Sequence, residues 1–150
     1  MPLTHSLEFR VSYADTDQMG TYANGRALEW FERGRTEMLR GTGMCYREME
    51  RHGLMLPVRE AHVEYVGRAQ YDDLLRLTAS FEPMGRIRIR VNVEVVQAET
   101  GETVCRGYTV HAIVNREGKP MRPPTWFRDW LEQFASEKQG EEGACVAGES

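Results

Sequence analysis

Two aspartates two residues apart are the part of this sequence best suited to chemistry. Asp15 and Asp17 stand in the stretch YADTDQMG, residues 13–20, directly ahead of a segment with helical periodicity. A carboxylate near a helix N-terminus can act as a base beside free N–H groups that stabilise a developing oxyanion. That combination is sufficient to hydrolyse an activated ester. The alternative interpretation is structural, because Asp favours turns and caps helices.

Most other catalytic signatures are missing from the sequence. It contains no G-x-S-x-G, H-E-x-x-H, G-x-x-x-x-G-K-[ST] or C-x-x-C motif. The four histidines are scattered without metal-ligand spacing, so we expect no metal site and interpret His62 as an ordinary strand residue. Cys45, Cys105 and Cys145 form an odd, widely spaced set, which predicts reduced thiols. We expect Cys45 to pack in the fold rather than to act as a nucleophile.

A long helix is predicted over residues 24–41, directly after the aspartate loop. Its periodic face carries Ala27, Phe31, Gly34 and Met38. Leu28 and Trp30 widen this stripe, so we expect other structure to wrap closely around the helix. A weaker helix is predicted around residues 44–51.

Five strands are predicted from the alternation of apolar and polar residues. Their ranges are 8–13, 58–66, 74–82, 86–95 and 103–114. In the clearest of them, apolar residues face one way while Arg86, Arg88 and Arg90 face the other. Short turns at 83–85 and 99–101 join the last three strands into an antiparallel meander. A run of strands after one long helix predicts an α+β fold, with the helix on one face of an antiparallel sheet.

Length and charge narrow the classes of protein. The chain has 150 residues, enough for one domain, and its net charge of −4 argues against nucleic-acid binding. It has no apolar run near the ~20 residues of a membrane span and no apolar signal-peptide core at its start, which predicts a cytoplasmic protein. A short helix is predicted at about 125–135, after Pro123 and Pro124. Residues 137–150 hold four Glu and one Lys, which predicts a disordered acidic tail after a domain of residues 1–136.

The stretch YADTDQMGTYANGRALEWFERGRTE, residues 13–37, resembles the 4-hydroxybenzoyl-CoA thioesterase family of hot-dog proteins. Its D-T-D-x-x-G loop and F-E-x-x-R-T-E helix are similar to those of one branch of bacterial acyl-CoA thioesterases. The segment RAQYDD, residues 68–73, resembles the family's P-A-x-Y-D-D turn, with Arg68 in place of the proline. Because the strand order also agrees, the resemblance covers roughly residues 6–127.

The resemblance implies a hot-dog fold, in which a curved antiparallel sheet of about five strands wraps a long central helix. It also implies a homo-oligomer, a dimer or a tetramer, with acyl-CoA bound between protomers. The implied function is hydrolysis of an acyl- or aroyl-CoA thioester to free acid and CoA, with no cofactor besides the CoA of the substrate. Two alternatives stay open. One is a hydratase or dehydratase, which typically needs a helix histidine that residues 24–40 lack; the other is a non-catalytic acyl-CoA binding module.

The resemblance also implies roles for single residues. Asp17 matches the family's catalytic carboxylate, acting as general base or as nucleophile, and Asp15 matches the structural one. The oxyanion and substrate-binding positions are Asn24, Gly25, Tyr22 and Met19. One subgroup carries a histidine where Asn24 stands here, so a histidine-assisted mechanism is not expected.

Cations are expected where CoA binds, because CoA is polyanionic. Arg86, Arg88 and Arg90 form a basic strand face that either binds CoA or is simply solvated, and some relatives use cations near the position of Arg86. Glu32 and Arg35 lie three residues apart on the helix, where an ion pair is geometrically possible. For these two we favour a structural or interface role.

Overall fold

A long helix packs on one face of a five-stranded antiparallel sheet. The computed structural model describes the backbone of residues 3–140 and the side chains of residues 3–133. The strands are β1 (Thr4–Arg10), β2 (Val58–Tyr65), β3 (Leu74–Met84), β4 (Arg88–Gln97) and β5 (Thr103–Ala112). The helices are α1 (Arg26–Arg40), α2 (Tyr46–Arg51) and α3 (Thr125–Gly140), and one 3-10 turn spans Tyr13–Asp15. The sheet order β1-β3-β4-β5-β2 makes β1 and β2 the two edges. The predicted α+β class is confirmed.

The buried face of α1 is the one that the sequence predicts. Ala27, Phe31, Gly34 and Met38 are all buried. Gly34 lies against Leu77 of β3, and a Cβ at this position would displace the end of the leucine side chain, so the glycine lets helix and sheet approach closely without a change in the packing of Leu77. Trp30 is buried as predicted, whereas Leu28 is 41% exposed and does not extend the packed stripe.

The sheet buries its helix-facing side chains in the predicted alternation. On β3 and β4 these are Leu75, Leu77, Ala79, Phe81, Ile89, Val91, Val93 and Val95. The residues between them on β4, including Arg88 and Arg90, therefore point to the opposite face. On the edge strand β2 both faces are largely exposed.

Two predicted strand boundaries are wrong for local reasons. The first strand is Thr4–Arg10 rather than 8–13, because the Ser12 N–H donates to Asp15 Oδ2 (2.9 Å) and turns the chain. Tyr13 consequently leaves the strand and is 78% exposed. The other boundary is at the β3–β4 turn. Because β3 continues through Pro83 to Met84, the turn falls on residues 85–87 and places Arg86 outside β4.

The last helix begins where the sequence predicts and extends farther. It follows Pro124, whose carbonyl oxygen accepts the Phe127 N–H (3.0 Å). Phe127 and Trp130 bury their rings beside Phe81 of β3. The helix reaches Gly140, beyond the predicted end at residue 135 and into the predicted tail. Residues 141–150, which hold most of that tail, lie outside the described residues, so the prediction of disorder there stays a prediction.

Candidate active site

The Asp17 carboxylate lies in a tight turn that ends at Gly20. Its Oδ1 accepts the Met19 N–H (2.9 Å), and its carbonyl oxygen accepts the Gly20 N–H (3.0 Å). Gly20 has a φ of 81°, a left-handed conformation that glycine adopts without strain. Asp17 is exposed, and within the described part of the chain no group donates to its Oδ2. Local backbone contacts thus hold the carboxylate in place and leave one oxygen open to a ligand.

Asp15 is half-buried and makes its contacts within the loop. Besides accepting the Ser12 N–H, its Oδ1 lies 3.9 Å from Arg26 Nε, and its carbonyl oxygen accepts the Ala23 N–H (2.8 Å). These contacts connect the loop to the first turn of α1. Two aspartates that look equivalent in the sequence therefore have different surroundings.

The N-terminus of α1 presents free backbone donors close in sequence to this loop. Between residues 3 and 140, no acceptor is found for the N–H groups of Asn24 and Gly25. Gly25 is the N-cap and provides no side-chain cap, and the space at its Cα is open. The Asn24 carbonyl oxygen accepts from the Tyr65 hydroxyl (3.0 Å), which fixes the start of the helix against β2. Free N–H groups at a helix N-terminus can stabilise an oxyanion.

The other two predicted substrate-binding residues lie in opposite environments. Tyr22 is only 3% exposed; its ring packs between Trp30 and Tyr65, and its hydroxyl donates to the Val104 carbonyl oxygen (3.3 Å). Burial raises the pKa of Tyr22. Tyr22 thus forms part of the core beneath the loop, whereas Met19 is 72% exposed at its tip.

Exposed apolar side chains surround this end of the molecule. Met19, Tyr13, Tyr71, Tyr65, Val66 and Leu28 are each more than two-fifths exposed. Several are linked by direct contacts, since the Tyr13 and Tyr71 rings meet edge to face and Tyr65 bonds to Asn24. An apolar surface beside a reactive carboxylate is typical of a site that is covered by substrate or by another subunit.

The three predicted CoA-binding arginines do not converge on one site. Arg86, in the β3–β4 turn, lines a groove of about 590 Å³ together with Arg122 and Arg128. Arg90 instead lies on the outer face of the sheet, with its guanidinium 3.7 Å from the centre of the Tyr108 ring and its Nε donating to Asn92 Oδ1 (2.8 Å). Arg88 is exposed at the start of β4.

Two further arginines of this groove, Arg122 and Arg128, were not predicted from the sequence to bind CoA. The groove lined by Arg86, Arg122 and Arg128 is called the basic groove below. Its apolar walls include Ile87 and Leu131. Arg128 donates to the Pro123 carbonyl oxygen and to the Thr125 hydroxyl. No ion pair within residues 3–133 involves Arg86 or Arg122. No sequence motif joins these residues, because the groove forms only when α3 folds back beside the β3–β4 turn.

The aspartate loop and the basic groove lie at opposite ends of the sheet. The loop is bonded to the chain just before β3, where the Tyr22 N–H donates to the Ala69 carbonyl oxygen (3.0 Å). The groove lies beyond the other end of β3, which has 11 residues. At ~3.3 Å per residue the two regions are separated by the length of that strand, about 33 Å.

The described residues 3–140 include no group of His, Cys, Asp and Glu side chains arranged to hold a metal ion. None of the helices in this range is both long and apolar enough to span a membrane. Cys45 and Cys105 are free thiols, and burial raises the pKa of Cys105 to about 11. Cys145 lies outside the described residues.

The ion pair between Glu32 and Arg35 that their spacing makes possible does not form in the structure. The ion pairs of α1 are Arg26–Glu29 and Arg40–Glu37 instead. Arg35 is half-buried between the helix and the start of β2, while Glu32 is exposed. Because Arg35 is half-buried and Glu32 is exposed, their spacing on the helix does not by itself indicate an ion pair.

The sequence of this chain is similar to those of known proteins. The family model described as the thioesterase-like superfamily matches residues 11–131. The putative acyl-CoA thioesterase YneP of Bacillus subtilis is 27% identical over 133 residues, 88% of this chain and 96% of that protein. The acyl-CoA thioester hydrolase YbgC of Escherichia coli is 31% identical over 90 residues, 60% of this chain and 67% of that protein.

A solved structure agrees in fold as well. The DHNA-CoA thioesterase of Staphylococcus aureus superposes with a TM-score of 0.81 at 28% identity, covering 91% of each chain. The hot-dog fold and the family resemblance predicted from the sequence are confirmed.

Proposed function

Because this chain belongs to the thioesterase-like superfamily, we propose that it is an acyl-CoA thioesterase with Asp17 as its catalytic carboxylate. The observation that carries the proposal is the open Oδ2 of Asp17, in the loop that leads to the unpaired N–H groups of Asn24 and Gly25. The relatives named as acyl-CoA thioesterases support the substrate class. The reaction converts an acyl- or aroyl-CoA and water into the free acid and CoA.

The backbone N–H groups of Asn24 and Gly25 stabilise the thioester oxygen as negative charge develops on it. They lie at the positive end of the α1 dipole and have no competing acceptor in the described part of the chain. No lysine or arginine side chain is needed for this step. Met19 and the exposed tyrosines provide the apolar surface against which the acyl group packs.

Asp17 has two chemically balanced routes to the same products. As a general base it takes a proton from water, the hydroxide attacks the carbonyl carbon, and the C–S bond breaks to release the CoA thiolate, which is then protonated. As a nucleophile its oxygen attacks the same carbon, releases the thiolate and forms a mixed anhydride that water then hydrolyses. A single turnover in ¹⁸O-labelled water separates the two, since attack of water on the Asp17 carboxyl carbon of an anhydride leaves the label in the protein.

The basic groove of Arg86, Arg122 and Arg128 is the proposed site for the phosphates of CoA. Three arginines line this groove beside one carboxylate, that of Glu132, and guanidinium groups bind phosphate oxygens with paired hydrogen bonds. Arg90 is a weaker candidate, because its guanidinium is engaged by Tyr108 and Asn92. Arg88 is exposed and lies in the sequence between Arg86 of the basic groove and Arg90 of the outer sheet face.

Self-association through β2 joins the separated halves of the site. The edge of β2 is free, and Val58 and Tyr65 at its two ends are 44% and 46% exposed. An antiparallel pairing of β2 with its copy reverses the strand. The Tyr65 end of one β2 strand, which lies beside Asn24, then meets the Val58 end of the other β2 strand. The Val58 end is the end of the sheet at which the basic groove lies. One CoA thioester therefore contacts Asp17 of one protomer and the arginines of its partner.

A panel of acyl-CoA substrates tests the proposed function directly. Release of free thiol from aliphatic and aromatic acyl-CoAs is expected to require no added metal or redox cofactor. A hydratase would instead change the absorbance of an enoyl-CoA without releasing thiol, and a binding module would bind acyl-CoA without turnover. We place the protein in the cytoplasm, where acyl-CoA is available and where the free thiols of Cys45 and Cys105 stay reduced.

A further inference from the structure

A second cavity lies farther along α1, away from the aspartate loop of the same protomer. It has a volume of about 250 Å³ and is enclosed by α1, by Tyr46 at the start of α2 and by the first residues of β2. Its polar lining includes Arg35, Tyr46 and His111, and Glu32 stands at its exposed rim. Neither the family match nor the proposed mechanism assigns a role to this cavity.

Arg35 is a half-buried cation that forms no ion pair with any of the residues whose side chains the structure describes. Within the described part of the chain its guanidinium makes no hydrogen bond, and no carboxylate lies within 4.0 Å of it. Burial lowers the pKa of Arg35, and the nearby charge of Glu32 acts in the opposite direction. An arginine side chain stays protonated in proteins and offers five N–H donors, so a buried one needs acceptors.

Tyr46 supplies a second donor to the same cavity. Its hydroxyl oxygen accepts the Leu56 N–H (3.2 Å), which leaves the hydroxyl hydrogen free to donate. His111 contributes no free group, because Nδ1 donates to the Leu56 carbonyl oxygen (2.9 Å) and Nε2 accepts from the Thr109 hydroxyl (2.9 Å). The cavity therefore offers one cation and one neutral donor, and the Glu32 carboxylate at its rim forms no ion pair with that cation.

The proposed β2 pairing brings this cavity to the reaction centre of the other copy. Within one protomer, Arg35 is 11 residues beyond Asn24, a distance of about 16 Å along the helix. Val58, however, is part of the cavity wall and lies at the strand end that meets the Tyr65 end of the other copy. The acyl group of a thioester held at Asp17 of one protomer can then enter the cavity of its partner.

We propose that this cavity binds a carboxylate at the far end of the acyl group, with Arg35 as its counter-ion and Tyr46 as a second donor. The inference rests on the proposed thioesterase function and names its substrate class. A carboxylate matches two donors that lack an acceptor. Glu32 does not reverse this preference, because it is exposed to water, which screens its charge more strongly than that of Arg35. Since a cavity of about 150 Å³ holds a benzene ring, this one has room for a short carboxyalkyl chain or a single substituted ring.

Matched substrate pairs test the inference. Adipoyl-CoA and hexanoyl-CoA differ only in the terminal carboxylate, as do glutaryl-CoA and pentanoyl-CoA. For the wild type, kcat/KM is expected to be on the order of tenfold or more higher for the carboxylated member of each pair, as for a charge-assisted hydrogen bond. Equal values for the two members would overturn the inference whatever any variant does.

Variants assign the preference to particular side chains. Arg35→Met should bring the ratio close to one; Arg35→Lys should keep part of the preference, and Tyr46→Phe should reduce it. Arg47→Met is the control, because it removes the same charge from an exposed position on α2 outside the cavity. A preference that survives in Arg35→Met contradicts the proposal. If Arg35→Met does not fold, the wild-type ratio and Arg35→Lys decide.

The two hypotheses fail in different ways. If no acyl-CoA releases thiol, the proposed function is wrong, and binding of two non-hydrolysable thioethers then decides the inference. S-(5-carboxypentyl)-CoA is expected to bind on the order of tenfold more tightly than S-hexyl-CoA, and equal affinities would refute the carboxylate site. Turnover without a preference for carboxylated substrates leaves the thioesterase proposal standing and overturns only the inference.

Discussion

The two ends of the sheet differ in the kind of chemistry that each presents. At one end, the backbone holds Asp17 and leaves the N–H groups of Asn24 and Gly25 without acceptors. At the other, Arg86, Arg122 and Arg128 line a groove in which these three cations outnumber the carboxylate of Glu132. The first arrangement suits a reaction and the second suits the binding of an anion. About 33 Å of strand separates them, and the proposed site therefore takes one end from each of two copies of the chain.

Replacement of the Asp17 carboxylate is expected to have the largest effect, because it removes the chemistry from one end. Asp17→Asn should lower kcat by on the order of 10²–10⁴, the contribution of a positioned general base. Asn has nearly the same size and still accepts the Met19 N–H, so the turn should persist. Steady-state thiol release measures the loss.

Asp15→Asn is the matched control for that substitution. It has the same charge change in the same loop, but it weakens the contacts to Ser12 and Arg26, so stability should fall by about 1 kcal/mol while kcat changes little. The catalytic assignment is wrong if Asp17→Asn keeps more than about a tenth of wild-type kcat, or if Asp15→Asn loses as much as Asp17→Asn does.

Acid should destabilise the protein through His111, which lies near the groove end of the sheet, opposite Ile89. Burial is the main cause that lowers the pKa of His111 to about 4, with the charge of Arg35 acting in the same direction. In the unfolded chain its pKa is about 6.5. The unfolded state therefore binds one more proton between these values, and as the pH falls through this window the free energy of unfolding should drop by up to about 3 kcal/mol.

Urea unfolding between pH 7 and pH 4 measures this effect. His111→Asn should flatten the pH dependence by about one proton. A wild-type stability that is constant between pH 6.5 and pH 4.5 would contradict the assignment.

Pairing of two defective chains tests whether the two ends cooperate across protomers. In a purified heterodimer, one chain carries Asp17→Asn and the other carries Arg86→Ala with Arg122→Ala. If the site is shared, the intact Asp17 of the second chain meets the intact arginines of the first. Turnover at low substrate should then return to about half of the wild-type value, because one of two sites is complete. No recovery above the two parent proteins would mean that each protomer binds and hydrolyses its own substrate.

Much of this fold follows from periodicity, while the site follows from it only in part. The stripe of Phe31 and Met38 and the alternation along β3 are patterns that burial imposes directly on the sequence, so they are predictable. The D-x-D loop is predictable because turn chemistry and the family motif agree. Boundaries were less predictable where one side chain changes the path of the chain, as Asp15 does by accepting the Ser12 N–H.

The basic groove and the Arg35 cavity needed the structure. Arg86 and Arg128 lie far apart in sequence and meet only through the return of α3. Arg35 appeared to have a partner in Glu32 three residues earlier, but spacing does not report that one side chain is half-buried and the other exposed. Tertiary packing, which no local pattern encodes, decides both cases.

The smallest effect is expected at Arg90, which belongs to the same predicted basic face as Arg86 but lies outside the basic groove. Its guanidinium stacks on Tyr108 and donates to Asn92, so it is already occupied on the outer face of the sheet. Arg90→Gln should change the KM for an acyl-CoA by less than about twofold and lower stability by about 0.5–1 kcal/mol, the size of an exposed cation–π contact. Arg86→Gln, with the same charge change, should raise KM on the order of tenfold, because phosphate binding loses a charge-assisted hydrogen bond. Steady-state KM at low ionic strength makes the comparison. Equal increases in the two variants would show that the whole strand face binds CoA, and the division of the molecule into a reactive end and a binding end would then have to include the outer sheet.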